Sequence, residues 1–319
     1  MTGDRPIVIV GLPRSGTTWT LRALGSAEGV TTILEPDNED KQPSAIRAKG
    51  VVGRYPVLHP GEESPAYRRL WEWIFAGAPE GRRSQLARRM LGPGAVQRIH
   101  DGRFDPLTWL AGTVAGPPPL NPGAPRPAFG GRVVAKSIHA QLSIEWLAEE
   151  FDVDVVLLLR HPANVLASWL ELNLKDARNT TLEHSAAIRT RYLEPWGVPL
   201  PGPEVIEQMS WRIALLVAVL EDVSSRHPDW PIRVHERLCV DPVAEFKTLY
   251  RDLRLGWGPS TEEFLRTHNA PGSGFAVNRV ASEVSDSWKR RLDDRQLETL
   301  REVIEIFPIT TWSDRDFER

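Results

Sequence analysis

The chain has 319 residues, of which 41% are hydrophobic and a single one, Cys239, is cysteine. A core of full size is within reach, whereas a disulfide framework and a cysteine-based zinc site are excluded. The net charge of −3 gives no basic field for a nucleic acid, and the longest apolar run, residues 213–220, is too short to span a bilayer.

Residues 7–10, Ile-Val-Ile-Val, are a continuous apolar run of the kind shown by a strand buried on both faces. Residues 11–16 follow as a glycine-bounded loop, and residues 17–24 read as a helix closed by Gly25. Strand, glycine loop and helix start together make an anion cradle. Glycine lets the backbone approach the ligand, successive N–H groups point at it, and the helix dipole favours its charge. The spacing of Gly11 and Gly16 is Walker-like, but Thr17 stands where that motif has lysine, and the nearest cation is Arg14. The Walker lysine serves a nucleoside triphosphate, so this loop reads as an anion site not built for ATP.

A second strand over 30–34 ends at Glu35-Pro36, where proline cannot continue a central ladder. Residues 37–130 lose strand signals and are rich in Pro, Gly and Arg, with helices expected over 67–75 and 84–91. They read as an inserted, partly loop-rich region on the acceptor side. Its arginine pairs, Arg82-Arg83 and Arg88-Arg89, suit solvated helix faces better than an acidic partner. Trp71, Trp73 and Trp109, three of twelve tryptophans, either stack on an acceptor or fill the core.

Regular order resumes with a strand over 133–135 ending at Lys136, a helix over 141–150, and a buried strand over 153–159. His161-Pro162 starts the next helix, with proline at its first position. A long helix over 204–226, a strand over 231–235, a helix from Asp241-Pro242 to Leu253 and a final amphipathic helix over 293–307 complete the reading. Residues 268–287 are Gly-, Ser- and Asn-rich. Alternating strands and helices imply a parallel sheet. The expected fold is α/β: a P-loop-like three-layer α/β/α arrangement with a central parallel sheet and a loop- and helix-rich insertion, forming a single domain over 1–319.

Open α/β sheets bind ligands beyond the carboxyl ends of their strands. There the chain delivers a row of polar groups: the loop after Val10, then Glu35, Lys136, Arg160 and the pair His235-Glu236. Ser168 lies eight residues after Arg160, two helical turns on. Such a pair suits the pinching of one phosphate, the arginine through a bidentate fork.

These residues resemble the sulfotransferases that use 3′-phosphoadenosine 5′-phosphosulfate (PAPS). Leu12-Pro13-Arg14-Ser15-Gly16-Thr17-Thr18 is similar to that family's 5′-phosphosulfate loop, in the PRSGTT form of its carbohydrate and protein-tyrosine branches. Arg160-His161-Pro162 with Ser168 resembles its 3′-phosphate motif, with His161 in place of aspartate. The resemblance implies PAPS as co-substrate, no metal, and binding of the nucleotide by Arg14, Ser15, Gly16, Thr17, Thr18, Arg160 and Ser168. It adds His235, replacing a tyrosine near the adenine, and Asn278 and Arg279, where the family's last 3′-phosphate loop belongs.

Glu35, 21 residues beyond Arg14 and followed by proline, matches the glutamate taken as catalytic base in those two branches. Sulfuryl transfer needs such a group, because the acceptor hydroxyl loses its proton as it attacks sulfur. His139 is the rival base, since Lys136-Ser137-Ile138-His139 resembles the Lys-Thr-His of the cytosolic branches with one residue added. Lys136 and Arg14 match the cations that stabilise the bridging oxygen as its bond to sulfur breaks. The resemblance touches residues 7–36 and 132–312.

Two other readings stay open. A P-loop small-molecule kinase would need a lysine at Thr17 and a magnesium-binding acid after a strand. A non-catalytic nucleotide-binding protein on the same fold would keep Arg160 and Ser168 while losing the base. The expected partner is a hydroxyl of a small molecule or glycan, with no nucleic acid and no membrane span. The lone cysteine and a first strand close to residue 1 set a soluble, cytoplasmic expectation. Acceptor identity and oligomeric state are left open.

Overall fold

The computed structural model describes residues 5–76, 91, 106–115, 131–173, 181–268 and 286–318. The two arginine pairs, nearly all of the helix expected over 84–91, and the candidates Asn278 and Arg279 lie outside them.

In chain order the elements are β1 (Ile7–Gly11), α1 (Thr17–Leu24), β2 (Val30–Leu34), α2 (Ile46–Val52), α3 (Pro65–Phe75), α4 (Pro106–Ala115), β3 (Arg132–Ser137), α5 (Ile144–Phe151), β4 (Asp154–Leu159) and α6 (Pro162–Leu172). After short helical turns up to Trp196 come α7 (Val205–Arg226), β5 (Ile232–Val234), α8 (His235–Val240), α9 (Pro242–Asp252), α10 (Pro259–His268) and α11 (Asp294–Ile306). The strands form one sheet in the order β2-β3-β1-β4-β5. β1 and β2 each run parallel to β3, and β4 runs parallel to β5. With helices flanking this sheet, the fold is the α/β class read from the sequence.

The described residues cluster in two compact units, one from Met1–Val10 and Glu28–Val155, the other from Gly11–Ala27 and Val156–Arg319. Each is assembled from separate chain segments.

In the first unit, Ile7 lies opposite Val134 and Leu34 opposite Lys136. Every residue of β3 is buried, and the strand is longer than its apolar letters suggest. It runs on through Lys136 and Ser137, because Glu35 N–H donates to the Lys136 carbonyl at 2.8 Å and prolongs the ladder. Lys136 is thus a strand residue, not the first residue beyond one. Helix α3 buries Tyr67, Leu70, Trp71 and Ile74, the three- and four-residue spacing of one helical face. Trp71 is fully buried and belongs to the core, while Trp109 on α4 is exposed with the Arg47 guanidinium over its ring at 5.6 Å.

In the second unit, α7 buries an almost continuous run from Met209 to Leu220. It packs against α6 and α11, and α11 starts on a capping box between Asp293 and Gln296. Strand β5 is shorter than its sequence suggests: His235 does not extend it but opens α8. At the start of α6, His161 Nδ1 accepts from Ala163 N–H at 3.2 Å, so the histidine performs the capping that an aspartate there would supply. Its Nε2 meets the Asp316 carbonyl at 2.9 Å and its ring stacks on Trp288. Nδ1 accepts and Nε2–H donates, which fixes the neutral tautomer. Burial pushes this imidazole down to about 4. Among the described residues no helix is long and apolar enough to cross a membrane.

Candidate functional site

The second unit carries the glycine loop. Ser15 N–H and its hydroxyl both donate to the Leu12 carbonyl, at 3.1 and 2.7 Å. The backbone takes left-handed φ at Arg14 (+74°) and at Gly16 (+88°), which caps α1. Glycine is required at the second position for two reasons: the positive φ, and a Cβ there that would meet His235 Nδ1 at 2.3 Å. A non-glycine residue in that region is strained, and strain of this kind gathers at functional sites.

Three side chains bolt the loop to β4 and α6. Trp169 Nε1 donates to the Pro13 carbonyl at 2.9 Å, Arg160 Nη1 donates to the Arg14 carbonyl, and Arg14 Nε donates to Ser168 Oγ at 3.1 Å. Arg14, Arg160 and Ser168 are therefore gathered into one cluster. Ser15 and Thr17 are buried within the loop and α1, and Thr18 is half-buried.

Arg160 is buried, and burial brings it down to about 10 against the opposing pull of Glu236. Its Nε lies 3.7 Å from Glu236 Oε1 and makes no hydrogen bond. Burial raises Glu236, while Arg160 pulls the other way. That carboxylate is held by His161 N–H at 3.1 Å and Asn164 Nδ2 at 2.9 Å. His235 sits beside Gly16 and edge-on to Trp19 at 5.8 Å. Burial, then the charges of Arg160 and Arg14, hold it neutral, well below the usual histidine range. Its Nε2 approaches Cys239 Sγ at 3.6 Å, and Nδ1 makes no hydrogen bond. Burial raises the Cys239 thiol to about 12, so it is no nucleophile.

These features fit a phosphorylated ligand. Two buried nitrogens, Arg160 Nε and His235 Nδ1, lack hydrogen bonds beside a loop whose N–H groups precede a helix. Such atoms are costly unless a ligand satisfies them.

The first unit carries Glu35, the second candidate with left-handed φ, at +47°. Its carboxylate is crowded with donors. Lys136 Nζ donates to Oε1, while Asn38 Nδ2 at 2.8 Å and Lys41 Nζ at 2.6 Å reach Oε2. Burial alone would raise this acid, but Lys136 and then Lys41 overcome it and hold Glu35 at about 2. Lys136 is lowered by burial, against the pull of Glu35. A charge network lies beneath the pair. Asp37 accepts from Ser137 Oγ at 2.7 Å, Tyr67 Oη at 3.1 Å and Lys49 Nζ at 3.3 Å, and Arg54 bridges Glu39 and Asp40. Ser137 Oγ in turn accepts from the N–H groups of His139 and Ala140 at 3.0 and 3.1 Å, shaping the turn after β3. His139 itself is fully buried, edge-on to Tyr55 at 5.0 Å.

Sequence reasoning singled out Glu35 and Lys136 but not Lys41, which joins Lys136 in holding the Glu35 carboxylate ionised, nor Asn38, which donates to it. The available signal was the density of charge in Glu35-Pro36-Asp37-Asn38-Glu39-Asp40-Lys41, which is unusual for a segment so largely buried.

A family model described as the sulfotransferase family matches residues 6–197. No curated protein matches the chain. Among solved structures the chain is similar to the sulfotransferase domain from the curacin biosynthetic pathway, at 13% identity and TM-score 0.46, covering 95% of this chain and 98% of that one. It is also similar to sulfotransferase STF9 from Mycobacterium avium, at 14% identity and TM-score 0.42, covering 96% and 78%. Sulfotransferase STF1 from Mycobacterium tuberculosis H37Rv is matched at 15% identity and TM-score 0.43, covering 96% and 76%.

Proposed function

Because the chain belongs to the sulfotransferase family, we propose that it moves a sulfuryl group from PAPS to a hydroxyl acceptor and releases 3′,5′-ADP. The observation that carries the choice of donor is the clasp of Arg14, Ser168 and Arg160 around a loop with Thr17 in the Walker lysine position. Arg160 and Ser168 are assigned to the 3′-phosphate. Arg14, Ser15, Gly16, Thr17 and Thr18 are assigned to the 5′-phosphosulfate, through N–H and hydroxyl groups with the guanidinium as counter-charge. His235, packed against Gly16, is assigned to the nucleotide side as well.

In the reaction the acceptor oxygen attacks sulfur, the bond from sulfur to the bridging oxygen breaks, and the acceptor proton goes to Glu35. The electron pair of the broken bond stays on the 5′-phosphate, where Arg14 and Lys136 are assigned to stabilise it. Glu35 is preferred to His139 as the base because His139 is sealed in the core, whereas Glu35 is paired with an exposed lysine, Lys41. The soluble, cytoplasmic setting and the hydroxyl of a small molecule or glycan belong to the same proposal.

Calorimetry tests the donor. 3′,5′-ADP is expected to bind without magnesium, far more tightly than ATP or 5′-ADP. Equal affinity for ATP would remove the reading.

A further inference from the structure

We propose that His235 is a neutral hydrogen-bond donor to the 5′-phosphate at the glycine loop, with its tautomer set by Cys239. The inference rests on the sulfotransferase reading and places the histidine's polar contact on the phosphate rather than on the adenine.

Helix α8 opens directly on the end of β5, so His235 leaves the sheet at a strand end, and Cys239 follows one turn along the same helix face. Of the ring atoms, Nδ1 comes nearest to the Cβ position of Gly16, at 2.3 Å, with Cε1 at 2.7 Å and Cγ at 3.0 Å. Gly16 is the N-cap of α1, so Nδ1 faces the end of a helix whose backbone N–H groups favour an anion. The histidine is only 8% exposed, and Trp19, itself edge-on to Phe246, walls one side of the ring. Among the described residues Nδ1 has no hydrogen bond. A buried nitrogen left in that state is costly unless a ligand meets it.

The other ring nitrogen decides what Nδ1 can offer. Nε2 lies 3.6 Å from Cys239 Sγ. A thiol sulfur is a weak acceptor and an imidazole nitrogen a good one, and burial keeps the thiol protonated. The S–H therefore donates to Nε2, and the ring proton sits on Nδ1. Arg160 and Arg14 act on the ring by charge, while Glu236 and Arg160 act on the thiol. Beside two guanidinium groups an imidazolium is repelled, whereas a neutral N–H adds a contact to the phosphate without adding charge. His235 makes the contact, and Cys239 is a positioning residue that acts through it.

Nitrogen-15 NMR of histidine-labelled protein reads the tautomer, with His235 assigned by the signal that Cys239→Ala perturbs. The proton is expected on Nδ1 in the wild type, and Cys239→Ala is expected to spread it over both nitrogens. Saturating 3′,5′-ADP is expected to shift the Nδ1 resonance, and saturating 3′-AMP, which lacks the 5′-phosphate, to leave it in place. In calorimetry, His235→Phe is expected to weaken 3′,5′-ADP about tenfold or more and to spare 3′-AMP. A wild-type proton on Nε2, a tautomer unchanged in Cys239→Ala, an Nδ1 resonance that responds alike to the two ligands, or equal losses for both in His235→Phe overturns the inference while the sulfotransferase reading stands. The wild-type resonances decide it even where His235→Phe fails to fold. Failure of the wild-type protein to bind 3′,5′-ADP overturns that reading and the histidine contact with it.

Discussion

Arg14 Nε donates to Ser168 Oγ at 3.1 Å, so the only cation of the glycine loop is held by a serine 154 residues away in sequence. The same loop residue offers its carbonyl to Arg160. Loop, strand end and helix are one hydrogen-bonded unit, and changing any of the three residues is felt by the other two.

Ser168→Ala removes a single hydrogen bond to a guanidinium and is expected to weaken 3′,5′-ADP binding by about 1–2 kcal/mol. Arg160→Ala is expected to cost on the order of 2–4 kcal/mol, concentrated on ligands that carry the 3′-phosphate. Calorimetry with 3′,5′-ADP and 5′-AMP separates the two parts. Equal losses for both ligands would show Arg160 to be a scaffold for the loop alone.

Glu35→Gln keeps the shape of the side chain and is expected to leave nucleotide affinity near wild type while turnover falls roughly 10²–10⁴-fold. His139→Phe replaces a ring already sealed against Tyr55 and is expected to cost far less. The roles are reversed if Glu35→Gln stays active and the histidine variant is dead.

The pH dependence of stability has two separate windows. Glu35 drops from an ordinary 4.5 to about 2 on folding. Its contribution is therefore present above the unfolded value and is lost as pH falls from 4.5 to 2, on the order of 3 kcal/mol in all. His161 drops from 6.5 to about 4, so the unfolded chain takes up its proton first, and stability declines as pH falls through that higher window. Urea unfolding across pH should show the slope below 4.5 flattened in Glu35→Gln, and the slope between 6.5 and 4 flattened in His161→Asn. Identical profiles in the variants and the wild type would contradict both assignments.

Gly16→Ala combines a left-handed φ with a Cβ driven against His235. Loss of about 1–3 kcal/mol in stability is expected. Gly16→Ala with His235→Ala should recover only the part due to the clash, which thermal unfolding of the three proteins will read.

Much of this was legible in sequence. The apolar runs of β1 and β4 announce strands buried on both faces, and the glycine loop with the Arg160/Ser168 spacing singles out residues that the fold brings together. Three things were hidden for physical reasons. Left-handed φ at Arg14 and Glu35 is imposed by tertiary contacts, since neither residue type favours it. The pairing of Glu35 with Lys41 depends on how a charged loop folds back, and charge density alone does not specify partners. Helices α2 and α10 were missed because one contains Gly50 and the other buries little beyond Thr261 and Leu265, so neither repeats its apolar positions long enough to read.

The histidine that caps α6 gives the chain a mechanical tether. Through the Asp316 carbonyl and the stack on Trp288, residues near the far end of the sequence grip the residue that follows Arg160. Trimming residues 314–318 removes the Asp316 carbonyl and the Phe317 ring from that grip, leaves the Trp288 stack, and opens the imidazole to water on that side. A shortened protein is expected to release nucleotide faster, and its His161 to titrate nearer to neutral pH. The tail thus works as a guy rope for the strand end that carries Arg160, so purification tags and proteolytic nicks there are not innocuous when affinity is measured.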